Sequence, residues 1–336
     1  MIEVCPRVTI IVPVFNKVEY LTNALETIAN QTFQDFECIL VDDGSNDGSG
    51  EICDRFVLKD SRFRAIHTNN FGVSHARNVA LDNARGEYVV FIDADDEVDS
   101  EYLSNLISLK EQHCADVVIS WICDMNEKGE LLRRRFPIKP GLYSVDDLIK
   151  SFAKIQFESG IFGWCVSKIV PLGLINSIRF DEELTLAEDL DFYLKVYKKT
   201  STLYLDNSVH YYYRQNTTNS SVKKDEDIDY IAQLKLLLKI KRFLIEKNAW
   251  NEENQKIIEN KTSDYVYFTL FHCKLEQFEE RFNDVTSLWA NTNKQLTSSG
   301  GFKRMVLAAA QKNDMKKAKF FVSAYRYLRK AVKGNG

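Results

Sequence analysis

Short apolar runs alternate with amphipathic stretches through the first hundred residues, and this alternation predicts the fold. Val8–Val14 is an apolar run rich in β-branched residues, the pattern of a strand buried on both faces of a parallel sheet. Asn16, three residues before Glu19, has the spacing of a capping box, which predicts a helix through about Ala29. Phe36–Val41 is a second buried strand, followed by a helix from Asp47 to about Phe56 and a weaker strand over Phe63–His67. A helix over Ser74–Asn83, closed by Gly86 as its cap, leads to a fourth strand, Tyr88–Ile92. Strands and helices in this order predict a doubly wound α/β sheet with ligands at the carboxyl ends of its strands.

Beyond residue 100 a helix (Ser100–Gln112) precedes the strand Val117–Cys123 and a turn at Asn126–Gly129, which together suggest a hairpin. Ser144 and Asp147 mark another helix start. Gly163–Val170, Leu203–Leu205 and His210–Arg214 read as further strands around a helix at Glu188–Lys198. From Asp225 the pattern is helical only, with Ile228–Glu246 and Glu252–Cys273 as its longest segments, and no proline occurs after Pro171. The expected organisation is therefore an α/β domain over 1–224 and an all-helical region over 225–336.

Charge adds one feature. The net charge of -4 conceals an acidic body and a basic tail: residues from Phe302 onward carry ten Lys or Arg against Asp314 alone, whereas the preceding part carries 34 basic and 47 acidic side chains. A strongly basic nucleic-acid binder is excluded, and no nucleic-acid partner is expected. On Lys316–Lys333, Phe321, Ala324, Tyr325, Leu328 and Val332 share a helical face, with Lys319, Arg326, Lys330 and Lys333 opposite. Such a helix suits either an anionic lipid surface or packing within the domain or a homodimer. No apolar run reaches the roughly 18 residues of a membrane span, and the opening MIEVCPRVTIIVPVF lacks the features of a signal peptide. The seven cysteines are scattered with no Cys-x-x-Cys pair, which points to a reducing cytoplasm rather than disulfides or structural zinc.

Candidate chemistry gathers at the strand ends. Asp93-Ala94-Asp95 follows the strand YVVFI, and two carboxylates there are hard oxygen donors suited to Mg²⁺ or Mn²⁺. Asp42-Asp43-Gly44-Ser45 ends the second strand, where an acid can accept from a base N–H or a ribose hydroxyl, or simply close a turn. Arg77 is expected in the first turn of its helix, either clamping a phosphate or in a surface ion pair. Glu188-Asp189 opens a helix, where a carboxylate stays ionised and serves as general base or as a cap. His210 is either a packing residue or a metal ligand.

VTIIVPVFN, QTFQDFECILVDDGSNDGS, NNFGVSHARNVALDNARGEYVVFIDADDEV and LAEDLDFYLK, in this order, resemble glycosyltransferase family 2 over roughly residues 7–215. The resemblance implies the GT-A fold and an inverting, metal-assisted transferase acting on a nucleotide-sugar donor, with UDP favoured. It places Pro13, Val14, Asn16 and Glu19 around the nucleoside, Asp43 on the base, Asp93 on the ribose side and Asp95 on the divalent metal. Ala94 lies between the last two, Arg77 lies near the donor, Asp189 is the base, and Trp164 and Glu188 line the acceptor site. In some relatives a histidine completes the metal site, and His210 is the candidate. A glycan or lipid-linked saccharide acceptor is expected, with a cytoplasmic location, peripheral on the inner membrane face. A nucleotidylyltransferase would need a glycine-rich loop where PVFNK stands. The other alternative is an inactive transferase-like sugar-binding or assembly partner, against which the complete carboxylate set counts.

Overall fold

In the computed structural model the strands expected before residue 100 form where their apolar runs lie. The structure describes residues 5–126, 128–134, 138–184, 186–215, 229–290 and 301–333. The chain divides into two units, Met1–Ser220 and Ser221–Gly336. The boundary expected at 224/225 lies outside the described residues, as does Thr185.

The first unit begins β1 (Val8–Val14), α1 (Leu21–Ala29), β2 (Phe36–Asp42), α2 (Ser49–Lys59), β3 (Phe63–His67), α3 (Val73–Asp82) and β4 (Tyr88–Phe91). It continues with β5 (Glu97–Val98), α4 (Tyr102–His113), β6 (Val117–Met125), β7 (Leu131–Arg134), β8 (Gly141–Ser144), α5 (Val145–Leu148) and α6 (Phe152–Ser159). It closes with β9 (Lys168–Pro171), α7 (Leu172–Ile175), α8 (Glu188–Lys199) and β10 (Thr202–Arg214). The sheet runs β3-β2-β1-β4-β9-β6-β10-β5, with β7 on β6 and β8 on β10. Pairing is parallel from β3 to β4 and between β6 and β10, whereas β9 lies antiparallel between β4 and β6. Parallel neighbours explain why β1, β2 and β4 read as near-continuous apolar runs: helices cover both faces. On α1, Leu21, Ala24, Leu25 and Ile28 repeat at helical spacing and are buried. Each such large side chain contributes about 1.5–3 kcal/mol by leaving water.

Four local expectations change. Asn16 does not cap α1: its φ is +50°, its amide oxygen accepts from Asn46 N (3.0 Å), and a turn from Lys17 to Tyr20 delays the helix to Leu21. Gly86 is not a cap, since α3 ends at Asn83. Its role is close approach, because a Cβ there would lie 2.5 Å from Thr9 N. The segment from Gly160 begins with a left-handed residue (φ +77°), so it coils into turns and only Lys168–Pro171 is strand. The stretches expected as two strands after α8 are one bulged strand, β10.

The second unit contains α9 (Tyr230–Glu246), α10 (Glu252–His272), α11 (Phe278–Ala290), α12 (Gly301–Gln311) and α13 (Met315–Lys333). Asp229 caps α9 by accepting from Ile231 N and Ala232 N, and Asn251 caps α10 through Asn254 N. Ile231, Leu270, Phe282, Leu307, Ala318 and Val322 are among the residues of its core, with Phe321 packed against it. Tyr325 meets Phe271 and Phe302. The described part of the expected apolar stripe on α13 thus packs within the unit, and Arg326 is tied to the carbonyls of Phe271 and Cys273. Side chains from 328 onward lie outside the described residues. Outward on α13 stand Lys316, Lys317, Lys319, Phe320 and Tyr327, the last two 67% and 75% exposed. Among the described residues no helix is long and apolar enough to cross a membrane.

Candidate active site

β1, β2 and β4 end side by side, so the chain leaves the sheet three times along one edge. At the end of β1, Pro13 pairs with Val41 and the Val14 carbonyl accepts from Asp43 N at 2.8 Å. Asn16 N donates to Ser45 Oγ (3.0 Å), so the segments after β1 and β2 are tied in both directions. Glu19 is exposed in the turn before α1.

Asp43 is 2% exposed, and its carboxylate accepts from Thr68 Oγ1 (2.8 Å), Phe71 N (2.9 Å) and Gly72 N (2.6 Å). A carboxylate has about four acceptor positions, of which these donors take three. These bonds shape the loop between β3 and α3. Gly44 beside it has φ +76°, and a Cβ there would lie 2.8 Å from Asn70 N.

Beyond β4 come the acids. Asp93 N donates to Tyr211 Oη (3.1 Å), whose hydroxyl donates to Asp96 Oδ2 (2.6 Å). Asp96 also accepts from Arg214 N at 2.8 Å, and Arg214 Nε donates to the Asp95 carbonyl at 3.2 Å. Ala94 is buried between the two motif acids. The Asp95 carboxylate receives the Lys17 ammonium. Burial raises Asp93, with neighbouring Asp95 adding and Arg77 opposing. Burial next to Asp93 and Asp95 raises Asp96 well above the carboxylate range.

Arg77 departs from expectation. It lies in the second turn of α3, 4% exposed, neither on the surface nor open to a phosphate. Its Nη1 donates to Asp189 Oδ1 (2.5 Å) and Glu188 Oε1 (3.1 Å), its Nη2 to Asp93 Oδ1 (3.3 Å). The guanidinium carbon sits 5.3 Å from the centre of the Phe180 ring. Three carboxylates satisfy the charge of this buried cation, as burial requires. Asn78 ties the segment before α8 to α3, donating to the Phe180 carbonyl and accepting from Phe180 N, and the Phe180 ring stacks on Phe192 of α8 at 4.1 Å. Asp189 occupies the first turn of α8, following left-handed Ala187. Burial, with Glu188 and Asp93 adding, pushes Asp189 up to about 7 although Arg77 pulls the other way. A carboxylate so tuned takes a proton near neutral pH and releases it easily.

Trp164 is half-buried, edge-on to Trp121 at 5.8 Å, and its carbonyl accepts from Lys168. Lys168 is fully buried beneath it, its ammonium 4.4 Å from the centre of the Tyr193 ring, and burial pushes it down to about 7.

His210 is not brought to Asp95. The register sets Tyr211 against Val98 and Tyr212 against Glu97, so His210 stands by Asp99, its Nδ1 3.2 Å from Asp99 Oδ1. Four residues of strand, roughly 13 Å at about 3.3 Å each, separate it from the end of β10, where Arg214 meets Asp95. Among the described residues no three His, Cys, Asp or Glu side chains form a metal cluster. Asp95 nonetheless fits a divalent ion: it is a hard oxygen donor, partly open, already facing a cation, with Asp93 beside it. Lys17, Lys168, Tyr211 and Arg214 are the site residues that motif reading passed over. For Lys17 and Arg214 the available signal was a lone base next to a strand end facing acids.

The family model described as glycosyl transferase family 2 matches residues 9–166. The chain is 31% identical over 240 residues to glycosyltransferase GlyG of Streptococcus pneumoniae serotype 4, covering 68% of this chain and 76% of that protein. It is 30% identical over 212 residues to the poly(ribitol-phosphate) beta-N-acetylglucosaminyltransferase TarS of Staphylococcus aureus, 62% of this chain but only 35% of TarS. The crystal structure of S. aureus TarS 1-349 in complex with UDP-GlcNAc superposes with a TM-score of 0.66 at 24% identity, covering 96% of this chain and 92% of that one. The same TarS fragment in complex with UDP gives a TM-score of 0.64.

Proposed function

The chain is a glycosyltransferase: it belongs to glycosyltransferase family 2, and on that premise we propose that it moves a sugar from a uridine diphosphate donor to a hydroxyl of a glycan or lipid-linked saccharide, inverting the anomeric centre. The observation that carries this is Arg77, which joins Asp189 (2.5 Å) to Asp93 at the end of β4 (3.3 Å). Base and donor-side carboxylate are thereby held in one hydrogen-bonded unit. Asp189, raised to about 7, takes the proton of the acceptor hydroxyl as that oxygen attacks the anomeric carbon opposite the leaving diphosphate. One displacement with one base inverts configuration, and such a base contributes about 10²–10⁴-fold. Glu188, sharing Arg77, and Trp164 flank the acceptor side.

Pro13, Val14, Asn16 and the remaining acceptor position of Asp43 suit the nucleoside. The choice of uridine diphosphate is supported by the UDP and UDP-GlcNAc complexes of TarS. Asp95, with Asp93 beside it, would hold Mn²⁺ or Mg²⁺, whose charge would offset that developing on the departing diphosphate. For location, we propose that α13 rests on an anionic lipid surface. Lys316, Lys317, Phe320 and Tyr327 are exposed on adjoining helical positions, which supports this.

The test is incubation of the purified chain with a panel of nucleotide sugars and Mn²⁺, following nucleoside diphosphate release and product configuration by NMR. Inverted product from a UDP-sugar is expected, and retained configuration overturns the single displacement. Asp189→Asn should cut turnover at least about 100-fold with donor binding intact; unchanged turnover removes Asp189 from the role.

A further inference from the structure

Lys17 stands just past the end of β1, and its ammonium rests on Asp95 Oδ2, the two side chains 22% and 19% exposed. Its backbone is fixed at both ends. Lys17 N donates to Ser49 Oγ (2.8 Å), while its carbonyl accepts from Tyr20 N (3.0 Å) and Leu21 N (2.9 Å). The side chain therefore starts from a set point and swings only within its own length. The neighbouring acids have other partners: Arg77 reaches Asp93, and Tyr211 with Arg214 N reaches Asp96. Lys17 thus sits on the carboxylate to which the proposed metal role belongs.

An ammonium and a divalent cation compete for the same carboxylate oxygens. A metal arriving alone must eject a charge-assisted partner, and the ejected ammonium then faces the incoming ion with like charge. A nucleoside diphosphate would remove both obstacles, since its oxygens would offer further hard donors to the ion and would also receive the ammonium. Lysine suits such a transfer better than arginine, being a compact point charge on a flexible stem rather than a planar fork.

We propose that Lys17 is a built-in counter-ion of Asp95 that divalent metal must displace, and that it passes to the donor diphosphate, so that metal and nucleotide bind synergistically. This rests on the metal role given to Asp95 above. By reciprocity, whatever factor UDP contributes to metal affinity the metal contributes to UDP affinity. Lys17→Met and Lys17→Gln remove the counter-ion, and Lys17→Arg keeps its charge.

The experiment needs no turnover: Mn²⁺ binding is followed by electron paramagnetic resonance of the free ion, with Mn²⁺ alone and with Mn²⁺ plus UDP. In the unmodified chain UDP should tighten Mn²⁺ binding at least about tenfold. Without UDP, Lys17→Met and Lys17→Gln should bind Mn²⁺ at least about tenfold tighter than the unmodified chain, and the gain from UDP should shrink. Lys17→Arg should retain weak binding of Mn²⁺ alone. If all of these proteins bind Mn²⁺ with UDP and the neutral variants show no tightening without it, the counter-ion role is overturned while the metal reading stands. If Asp95→Asn binds Mn²⁺ as the unmodified chain does, or none of the proteins binds it even with UDP, the metal reading fails and takes this proposal with it.

Discussion

Arg77 donates to Asp189 at 2.5 Å from inside the protein, and the same guanidinium reaches Asp93 at 3.3 Å. A helix residue in the first half of the sheet thus holds the first turn of α8, far along the chain, against the end of β4. Positioning of the proposed base and of the proposed donor-side acid is one structural event. Arg77→Lys keeps the charge and loses the fork, so it cannot hold both at once. Turnover should fall about 100-fold, the cost of misplacing reacting groups by about 1 Å, while donor KM changes less than about tenfold. Steady-state kinetics with a hydrolysable UDP-sugar checks this, and equal losses in kcat and UDP affinity would make Arg77 a donor ligand instead.

The pH profile follows from Asp189. In the proposed role it accepts a proton only when ionised, and burial raises it to about 7. On the acidic side kcat/KM should therefore fall about tenfold per pH unit below about 7, since that quantity reports the free enzyme. In Arg77→Gln the guanidinium no longer favours the ionised form, so the limb should move to higher pH. A profile flat down to pH 5 in the unmodified chain would exclude Asp189 as the titrating base.

Much of the sheet edge that carries the candidate site was legible because buried strands announce themselves locally. β1, β2 and β4 are runs of apolar residues that end in polar ones, and Asp43 and Asp93 fall where those patterns break, while Asp189 falls where the helical pattern of α8 begins. Asn16 misled because its spacing to Glu19 matched a cap, whereas a long-range bond to Asn46 N decided its conformation. Arg77 looked like a surface residue because its carboxylate partners lie 16, 111 and 112 positions away. Strand register sets His210 beside Asp99 and away from Asp95, and a single run of aromatic residues cannot specify register. Lys168 gave no local signal, since its burial is set by α8 and by the turns that begin at Gly160.

Asp43 carries a prediction on stability as well as binding. Its carboxylate accepts three donors from the loop between β3 and α3. Asp43→Asn keeps one oxygen and points an NH₂ group at donors, leaving at least one buried group unsatisfied. Such a group costs about 1–3 kcal/mol. Urea unfolding should register that loss, and calorimetry should show weaker UDP binding because the loop is no longer held. A variant with unaltered stability and unaltered UDP affinity would show that neither role belongs to Asp43.

On α13, Phe320→Ser with Tyr327→Ser removes the exposed aromatic pair without touching Ala318 or Val322 in the core. Sedimentation with vesicles rich in phosphatidylserine should drop several-fold, and raising the salt should weaken what remains, as expected for lysines near an anionic surface. Equal sedimentation of variant and unmodified chain would leave the basic tail without a membrane role.

Lys168 ties the turn that holds Trp164 to a dependence of stability on pH. Its ammonium is fully buried, bonded to the Trp164 carbonyl and set over Tyr193, and burial lowers it from 10.5 to about 7. Between these values the unfolded chain holds a proton that the folded chain has released. Unfolding free energy from this group therefore rises with pH, by up to about 1.4 kcal/mol per unit, starting near 7 and levelling near 10.5. Below about 7 both states carry the proton, and the folded state bears the full cost of a buried charge. Lys168→Met keeps the volume and removes the charge, losing one hydrogen bond worth about 1 kcal/mol. Its stability should exceed that of the unmodified chain most clearly at or below neutral pH, and the difference should shrink steadily toward pH 9. Urea titrations of both proteins at several pH values measure that difference directly, with every other titrating group common to the two. Curves that stay parallel across the range would mean that Lys168 remains charged within the fold, held by its carbonyl and ring partners.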